Sequence, residues 1–432
     1  MMKDHSPWII AATLMVTMTR AFAAPFPAFD ALPEQPKLPD PFTMLNGDPV
    51  KTPQDWMEKR RPELKALFEH YVYGVAAPEV GIVVSETAPT QTILGGAALL
   101  KQVTIGFQNL PGAAAPCIKL VLFLPTDVTG PVPVFIGLNK CGNYTVLGDP
   151  AILHHSETWC HGSCPKTLQE GRGMKEAFWS IPYLIDRGYA FATFHESNID
   201  PDKHDFTDGI QGAYPPTAAP DHRWGTIAAW SWGLRRCIDY LVTDPAINGE
   251  QVAVIGHSRR GKTALLTAAL DERVALVVPH QSGTGGMALS RNNNEETTER
   301  INRVFPHWFC DAFTWFDGQE NRLPVDQHLL AALVAPRALF ETVGLQDTWA
   351  NYKSSLKTIQ AADPVYKFLG APGVKGTGIV EVPWISGVPQ GPAKISEETA
   401  GNLVQYRLDT KHTLNKDYWR GILDFADLQF DR

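Results

Sequence analysis

Cysteine is scarce in this chain. Six cysteines in 432 residues are too few for a fold that disulfides must hold together, although an oxidising compartment would let one or two bridges close. An excess of positive charge is also missing. The formal net charge of −8 removes the electrostatic reason for a nucleic-acid or anionic-membrane partner. The N-terminal apolar run, Ile9 to Thr19, is too short to span a bilayer. No internal repeat and no low-complexity linker interrupts the chain, so one decorated domain is expected rather than an array.

At the N-terminus, Met1 to Ala23 have the pattern of a secretory signal: Lys3, the apolar run, then Ala21-Phe22-Ala23 as a small-x-small cleavage site. The alternative is a disordered apolar leader. Export predicts a secreted or periplasmic protein. Removing Lys3, Arg20 and Asp4 with the leader takes 38 basic and 46 acidic side chains to 36 and 45, a net charge of −9. Residues 24–80 then read as a Pro- and Phe-rich arm followed by a helix from Pro53 to about Tyr73, packed on a catalytic domain of residues 81–432. Cys160 and Cys164, with His155 and His161 nearby, match no standard zinc spacing, and a surface loop, cross-linked or not, is the better reading.

Strand-like runs come first in the main domain: Gly81 to Val84, Gln102 to Ile105, Ile118 to Leu124 and Val132 to Leu138. Then the pattern switches. Tyr189 to Phe194, Val252 to Ile255, Val274 to Val278 and Ala338 to Val343 are short apolar runs separated by helical stretches, which predicts a mostly parallel sheet with crossover helices. The clearest helix runs from Thr226 to Val242. Long loops near 156–179, 197–223 and 283–296 are expected to be functional rims.

The residues Gly256-His257-Ser258-Arg259-Arg260-Gly261-Lys262-Thr263 admit two incompatible readings. They fit the phosphate-binding pattern G-x-x-x-x-G-K-[ST], in which a Lys and backbone N–H groups cradle a nucleotide. They also resemble a nucleophile elbow, where a strand turns sharply into a helix and exposes a Ser hydroxyl. A nucleotide site needs a later strand ending in an Asp for Mg²⁺, and only Asp347 is offered, set back in a loop. A serine hydrolase needs an acid and then a His further along the chain. Asp347 after the run Ala338 to Val343 and His412 after Leu403 to Leu408 supply that order. Asp347 has an alternative role as the cap of the helix that follows.

The same stretch is similar to the G-C-S-R-x-G-K signature of the glucuronoyl esterases, carbohydrate esterase family 15. The likeness continues through Gln281-Ser282-Gly283-Thr284-Gly285-Gly286, Glu299-Arg300-Ile301-Asn302, Phe305-Pro306-His307-Trp308-Phe309, Asp347-Thr348-Trp349-Ala350-Asn351 and Lys411-His412-Thr413. It is most like bacterial members. The resemblance implies an α/β-hydrolase fold and hydrolysis of esters of (4-O-methyl)-glucuronic acid, as in cross-links between lignin and glucuronoxylan.

By that likeness Ser258 is the nucleophile and His412 its base, while Arg259 serves the oxyanion hole; chain order offers Asp347 as the acid. Lys262, Glu296, Trp349 and Gln281 are the expected substrate contacts. Lys262 and Glu296 could instead be solvated surface charges, and Trp349 could be core. Fungal members carry a disulfide between the residue before the Ser and the residue after the His, and their triad Glu stands where this chain has Gln281. Here His257 and Thr413 exclude that bridge, and Gln281 shifts the acid to Asp347. No metal or cofactor is called for, and a monomer is expected. Runner-up readings are an acetylxylan or general carboxylesterase, a P-loop nucleotide binder and a carbohydrate-binding protein without catalysis.

Overall fold

A computed structural model describes residues 26–432 except 111–115, 157–158, 215–217, 383, 386–387 and 390–394. The expected leader, Met1 to Ala23, lies outside the described residues. Twelve strands are present among them: β1 Ile82–Ile93, β2 Ala98–Phe107, β3 Ile118–Pro125, β4 Val132–Asn139, β5 Ala190–His195, β6 Ile247–His257, β7 Val274–His280, β8 Ala338–Gly344, β9 Ile379–Glu381, β10 Trp384–Ile385, β11 Val388–Pro389 and β12 Leu403–Leu408. Ten of them form one open sheet in the order β1-β2-β3-β5-β4-β6-β7-β8-β12-β9, and β10 pairs with β11.

From β5 to β9 the neighbours are parallel, whereas β1, β2 and β3 form an antiparallel edge that joins β5 antiparallel. This is the α/β-hydrolase fold. Parallel strands covered on both faces read as unbroken apolar runs, and β4 and β8 are buried along their whole length. On one face Ile136, Val254, Val277 and Leu339 pack with Trp230, Leu234 and Leu265. On the other Phe135, Ile255, Val278 and Phe340 pack with Trp419, Ile422 and Phe425 of the last helix, Lys416–Gln429.

The arm belongs to the first of these cores, because Leu32, Val50 and Trp56 are buried in it. It is also pinned by polar bonds, Arg291 Nε to Gln35 O at 3.1 Å and His328 Nε2 to Pro39 O at 2.9 Å. The expected helix from Pro53 to Tyr73 forms, with π-helical turns at Trp56–Arg60 and Glu69–Tyr73 on either side of Arg61–Phe68.

Strand β1 is far longer than the run Gly81 to Val84 suggested. It is an exposed edge strand whose later residues are mostly small and polar, so it carries no apolar periodicity to find. The 156–179 loop contains two four-residue helices, Leu168–Gly171 and Glu176–Trp179. It is tied to the end of β4 by a disulfide between Cys141 and Cys164, while Cys160 is free.

Register sets the site. In β6 and β7 His257 pairs with His280, and His280 pairs with Thr342 in β8. The residues that follow these three strands therefore emerge level with one another, at the carboxyl edge where such sheets hold their ligands.

Candidate active site

Ser258 stands at the turn from β6 into the elbow helix Arg259–Leu270 with φ 61° and ψ −128°. A non-glycine residue with that backbone is strained, and the surrounding contacts have to hold it there. Its N–H donates to His280 O at 2.9 Å. Two glycines make the turn sterically possible. A Cβ on Gly256 would lie 1.9 Å from Arg260 O, and one on Gly261 would lie 2.8 Å from Gly256 O and 3.0 Å from His280 O. A side chain at 261 would meet the Gly256 and His280 carbonyls, which explains why the small residue of the usual elbow stands one position later here.

The same geometry removes the nucleotide reading. Lys262 turns inward, 2 % exposed, and its ammonium donates to Ser282 O at 2.7 Å, Thr284 O at 2.6 Å and Glu296 Oε2 at 3.1 Å. Those three bonds use every N–H it has, so none remains for a phosphate.

The expected acid and base meet directly. Asp347 and His412 follow β8 and β12, and His412 Nδ1 lies 2.6 Å from Asp347 Oδ2. The Asp side chain is 5 % exposed and the His side chain 39 %, so the imidazole projects from a buried carboxylate toward solvent. The helix cap is a different residue: Asn351 accepts from Ser354 N at 3.2 Å at the start of Tyr352–Phe368. Asp347 is left with a longer turn contact to Ala350 N at 3.4 Å. Ser258, Arg259 and His412 line one cavity of about 380 Å³, with Lys140, Lys175 and Phe178 on its wall.

Gln281, expected among the substrate contacts, bonds to the loop that carries His412. Its Oε1 accepts Thr413 N at 2.9 Å and His257 Nε2 at 3.2 Å, while its Nε2 donates to Lys411 O at 3.1 Å. His280 adds a bond from Nε2 to Thr413 O at 2.8 Å and accepts from the Thr342 hydroxyl at 2.7 Å. Three backbone groups flanking His412 are therefore held by two consecutive residues at the end of β7. This clamp sits where a fungal-type disulfide is impossible.

Burial, then repulsion from His280 and His412, holds His257 well below the usual imidazole range. Burial likewise depresses His280, down to about 3. The His412 ring lies 4.2 Å from that of His257. The low dielectric makes a charged imidazole at His257 or His280 costly.

Lys262 and Glu296, for which solvated surface charge was one expectation, are instead buried, 2 % and 3 % exposed. They form a buried ion pair, and Glu296 Oε1 accepts Trp349 Nε1 at 2.7 Å. Burial pulls the Lys262 pKa down, and the Glu296 charge opposes it. Trp349 stays half-exposed under the Arg300 guanidinium, 4.0 Å from its ring centre. Lys262 and Gln281 thus lack free donors for a ligand because the protein uses them, and of this group the Trp349 ring is what reaches the surface.

Arg259 is held from behind by an ion pair with Asp202 and lies over Phe305 and Trp308 at 4.6 and 4.2 Å. Burial alone would raise the Asp202 pKa, but hydrogen bonds from His307 and Trp308 and the Arg259 charge hold it below the usual carboxylate range. Arg260 pairs with Glu196. Sequence reasoning missed Asp202, Glu196, Lys140 and Lys175. Lys140 and Glu196 carried a signal, each standing two residues after an apolar run.

Comparison with known proteins gives the family. A family model described as glucuronyl esterase, fungi, matches residues 173–370. The chain is 38 % identical to carbohydrate esterase MZ0003 of an unknown prokaryotic organism, over 90 % of this chain and 89 % of that one. The chain belongs to the glucuronoyl esterases of carbohydrate esterase family 15. This glucuronoyl esterase, a carboxylic ester hydrolase, is also 31 % identical to a 4-O-methyl-glucuronoyl methylesterase of Schizophyllum commune over 78 % of this chain and 74 % of that one. It superposes on a glucuronoyl esterase from Solibacter usitatus with a TM-score of 0.81 and 31 % identity, over 93 % of this chain and 100 % of that chain. Among the described residues no helix is long and apolar enough to cross a membrane, and no cluster of three or more His, Cys, Asp or Glu side chains is suited to a metal.

Proposed function

We propose that this esterase cleaves esters of (4-O-methyl)-glucuronic acid, as in links between lignin and glucuronoxylan, through a triad of Ser258, His412 and Asp347. The observation that carries the proposal is the 2.6 Å contact of His412 Nδ1 with a buried Asp347 carboxylate, beside the cavity that Ser258 lines. Asp347 holds the imidazole with its Nδ1 protonated, so that Nε2 is the free base. His412 takes the Ser258 proton as Oγ attacks the ester carbonyl, and then returns it to the departing alcohol. Water, activated by the same base, releases the acid from the acyl-enzyme.

Arg259, immobilised by Asp202 and two aromatic rings, presents its backbone N–H at a helix start and its guanidinium to the developing oxyanion. Preorganised donors of this kind cost no rearrangement during the reaction. The buried pair of Lys262 and Glu296 positions Trp349, whose half-exposed ring suits a sugar face. The leader and the disulfide fit a protein secreted or exported to the periplasm, acting as a monomer with residues 24–80 packed on the catalytic domain.

One assay tests the substrate class: benzyl glucuronate, methyl galacturonate and an aryl acetate, each with wild type and Ser258→Ala. Glucuronate is expected to lead, with about 1–3 kcal/mol of discrimination against the wrong C4 epimer. Ser258→Ala should lose about 10⁴-fold or more on every ester. A preference for the acetate would favour the acetylxylan or general carboxylesterase reading instead.

A further inference from the structure

The cavity beside Ser258 is charged in a way that hydrolysis of a neutral ester does not require. Four cationic side chains line it, Lys140, Lys175, Arg259 and Arg260, and among the described residues no carboxylate does. Both arginines are answered from behind, by Asp202 and Glu196. The lysines are not. The Lys140 ammonium donates to the Ser163 hydroxyl at 2.6 Å. Burial, then the Arg260 and Arg259 charges, pushes its pKa down against the weaker pull of Glu196 and Asp202. Lys175, half-buried, has no side-chain hydrogen bond or ion pair among the described residues, and the adjacent Glu176 accepts from Gly148 N at 3.1 Å.

A half-buried ammonium beside two guanidinium groups, with a hydroxyl as its partner, is electrostatically unfavourable in the free protein. Cations held in this way inside a cleft mark a candidate site for an anion. Strand order says which part of the substrate they face. Lys140 follows β4 and Lys175 lies in the crossover to β5, whereas Asp347 and Trp349 follow β8, and β6 with Ser258 runs between the two groups. With the glucuronate on the Trp349 flank, the lysines lie on the side of the alcohol.

We propose that Lys140 and Lys175 form a carboxylate-binding subsite for the alcohol half of the ester, so that esters whose alcohol carries a free carboxylate are preferred. The apolar wall of Leu138 and Phe178 suits the aromatic or alkyl body of such a hydroxy acid. The inference rests on the glucuronoyl reading above. It adds no chemical step: the same ester bond is cleaved by water, and only the leaving alcohol differs.

The test compares kcat/KM for glucuronate esters of benzyl alcohol and of para-carboxybenzyl alcohol. A preference of about tenfold for the charged ester is expected at low salt, shrinking toward parity at about 0.5 M salt because the lysines are partly exposed. It should disappear in Lys140→Gln with Lys175→Gln and survive in part in Lys140→Arg. A wild-type ratio at or below one, or a preference that persists in the double variant, would overturn the subsite and leave the glucuronoyl reading standing. Hydrolysis of neither ester would overturn that reading, and the subsite with it.

Discussion

The two flanks of Ser258 are built on opposite terms. On the β7, β8 and β12 side, every polar group described above is answered by the protein itself: Gln281 and His280 hold the His412 loop, Asp347 holds His412, and Lys262 with Glu296 holds Trp349. On the β4 and β5 side, Lys140 and Lys175 have no carboxylate in contact among the described residues, and the wall is a long crossover held to β4 by Cys141–Cys164. A satisfied polar network is rigid and specifies one geometry, which a proton relay needs. An unsatisfied wall is free to take its partners from the substrate. Variants on the first flank should therefore disturb turnover and folding, and those on the second chiefly substrate choice.

The largest expected break is Asp347→Asn. If Asp347 is the triad acid proposed above, its loss should lower kcat by up to about 10⁴-fold with little change in Tm. Near-normal turnover would remove Asp347 from the triad. Gln281→Glu added to that variant should restore part of the loss, because a carboxylate would again lie beside the His412 loop.

A smaller but sharper break is Gln281→Leu, which leaves the Thr413 N–H and the Lys411 carbonyl without partners. Turnover should fall by about 10- to 100-fold as the base drifts, with about 1–3 kcal/mol of stability lost for an unanswered buried group. Unchanged kcat at normal Tm would reduce the clamp to packing.

Stability alone separates the flanks in a third experiment. Lys262→Met strands a buried Glu296 and should cost about 3–5 kcal/mol in denaturant unfolding, whereas Lys140→Gln should change it by less than about 0.5 kcal/mol. Equal costs would erase the distinction.

The smallest expected effect is a pH slope. His280 is held down to about 3, so the unfolded chain takes up a proton near pH 6.5 that the folded chain does not. Stability should then fall as pH drops below about 6.5, by up to about 1.4 kcal/mol per pH unit for each such histidine. Unfolding midpoints at neutral and mildly acidic pH should show a shallower slope for His280→Asn than for wild type.

Much of the architecture was legible because parallel strands buried on both faces announce themselves as short apolar runs, and Leu403–Leu408 was read to the residue. The elbow, Asp347 and His412 were legible for a related reason: each stands at or just after the end of such a run, where the sheet opens. Polar edge strand β1 was invisible beyond its first residues, since nothing in it alternates toward a core.

Local pattern determined that Ser258 would sit on a strand-to-helix turn, and chain order determined which acid and which histidine could join it. Tertiary structure decided the rest. Whether Lys262 faces a phosphate, a sugar or a buried Glu296 depends on a residue 34 positions away. Whether Gln281 touches substrate or holds Lys411 and Thr413 depends on residues 130 and 132 positions away. A donor's partner is set by which chain segments the sheet brings within about 3 Å, and no local spacing encodes that. The same reason hid Asp202 behind Arg259 and left Lys140 and Lys175 without an acid among the described residues, a charge imbalance that exists only once the cavity has been assembled.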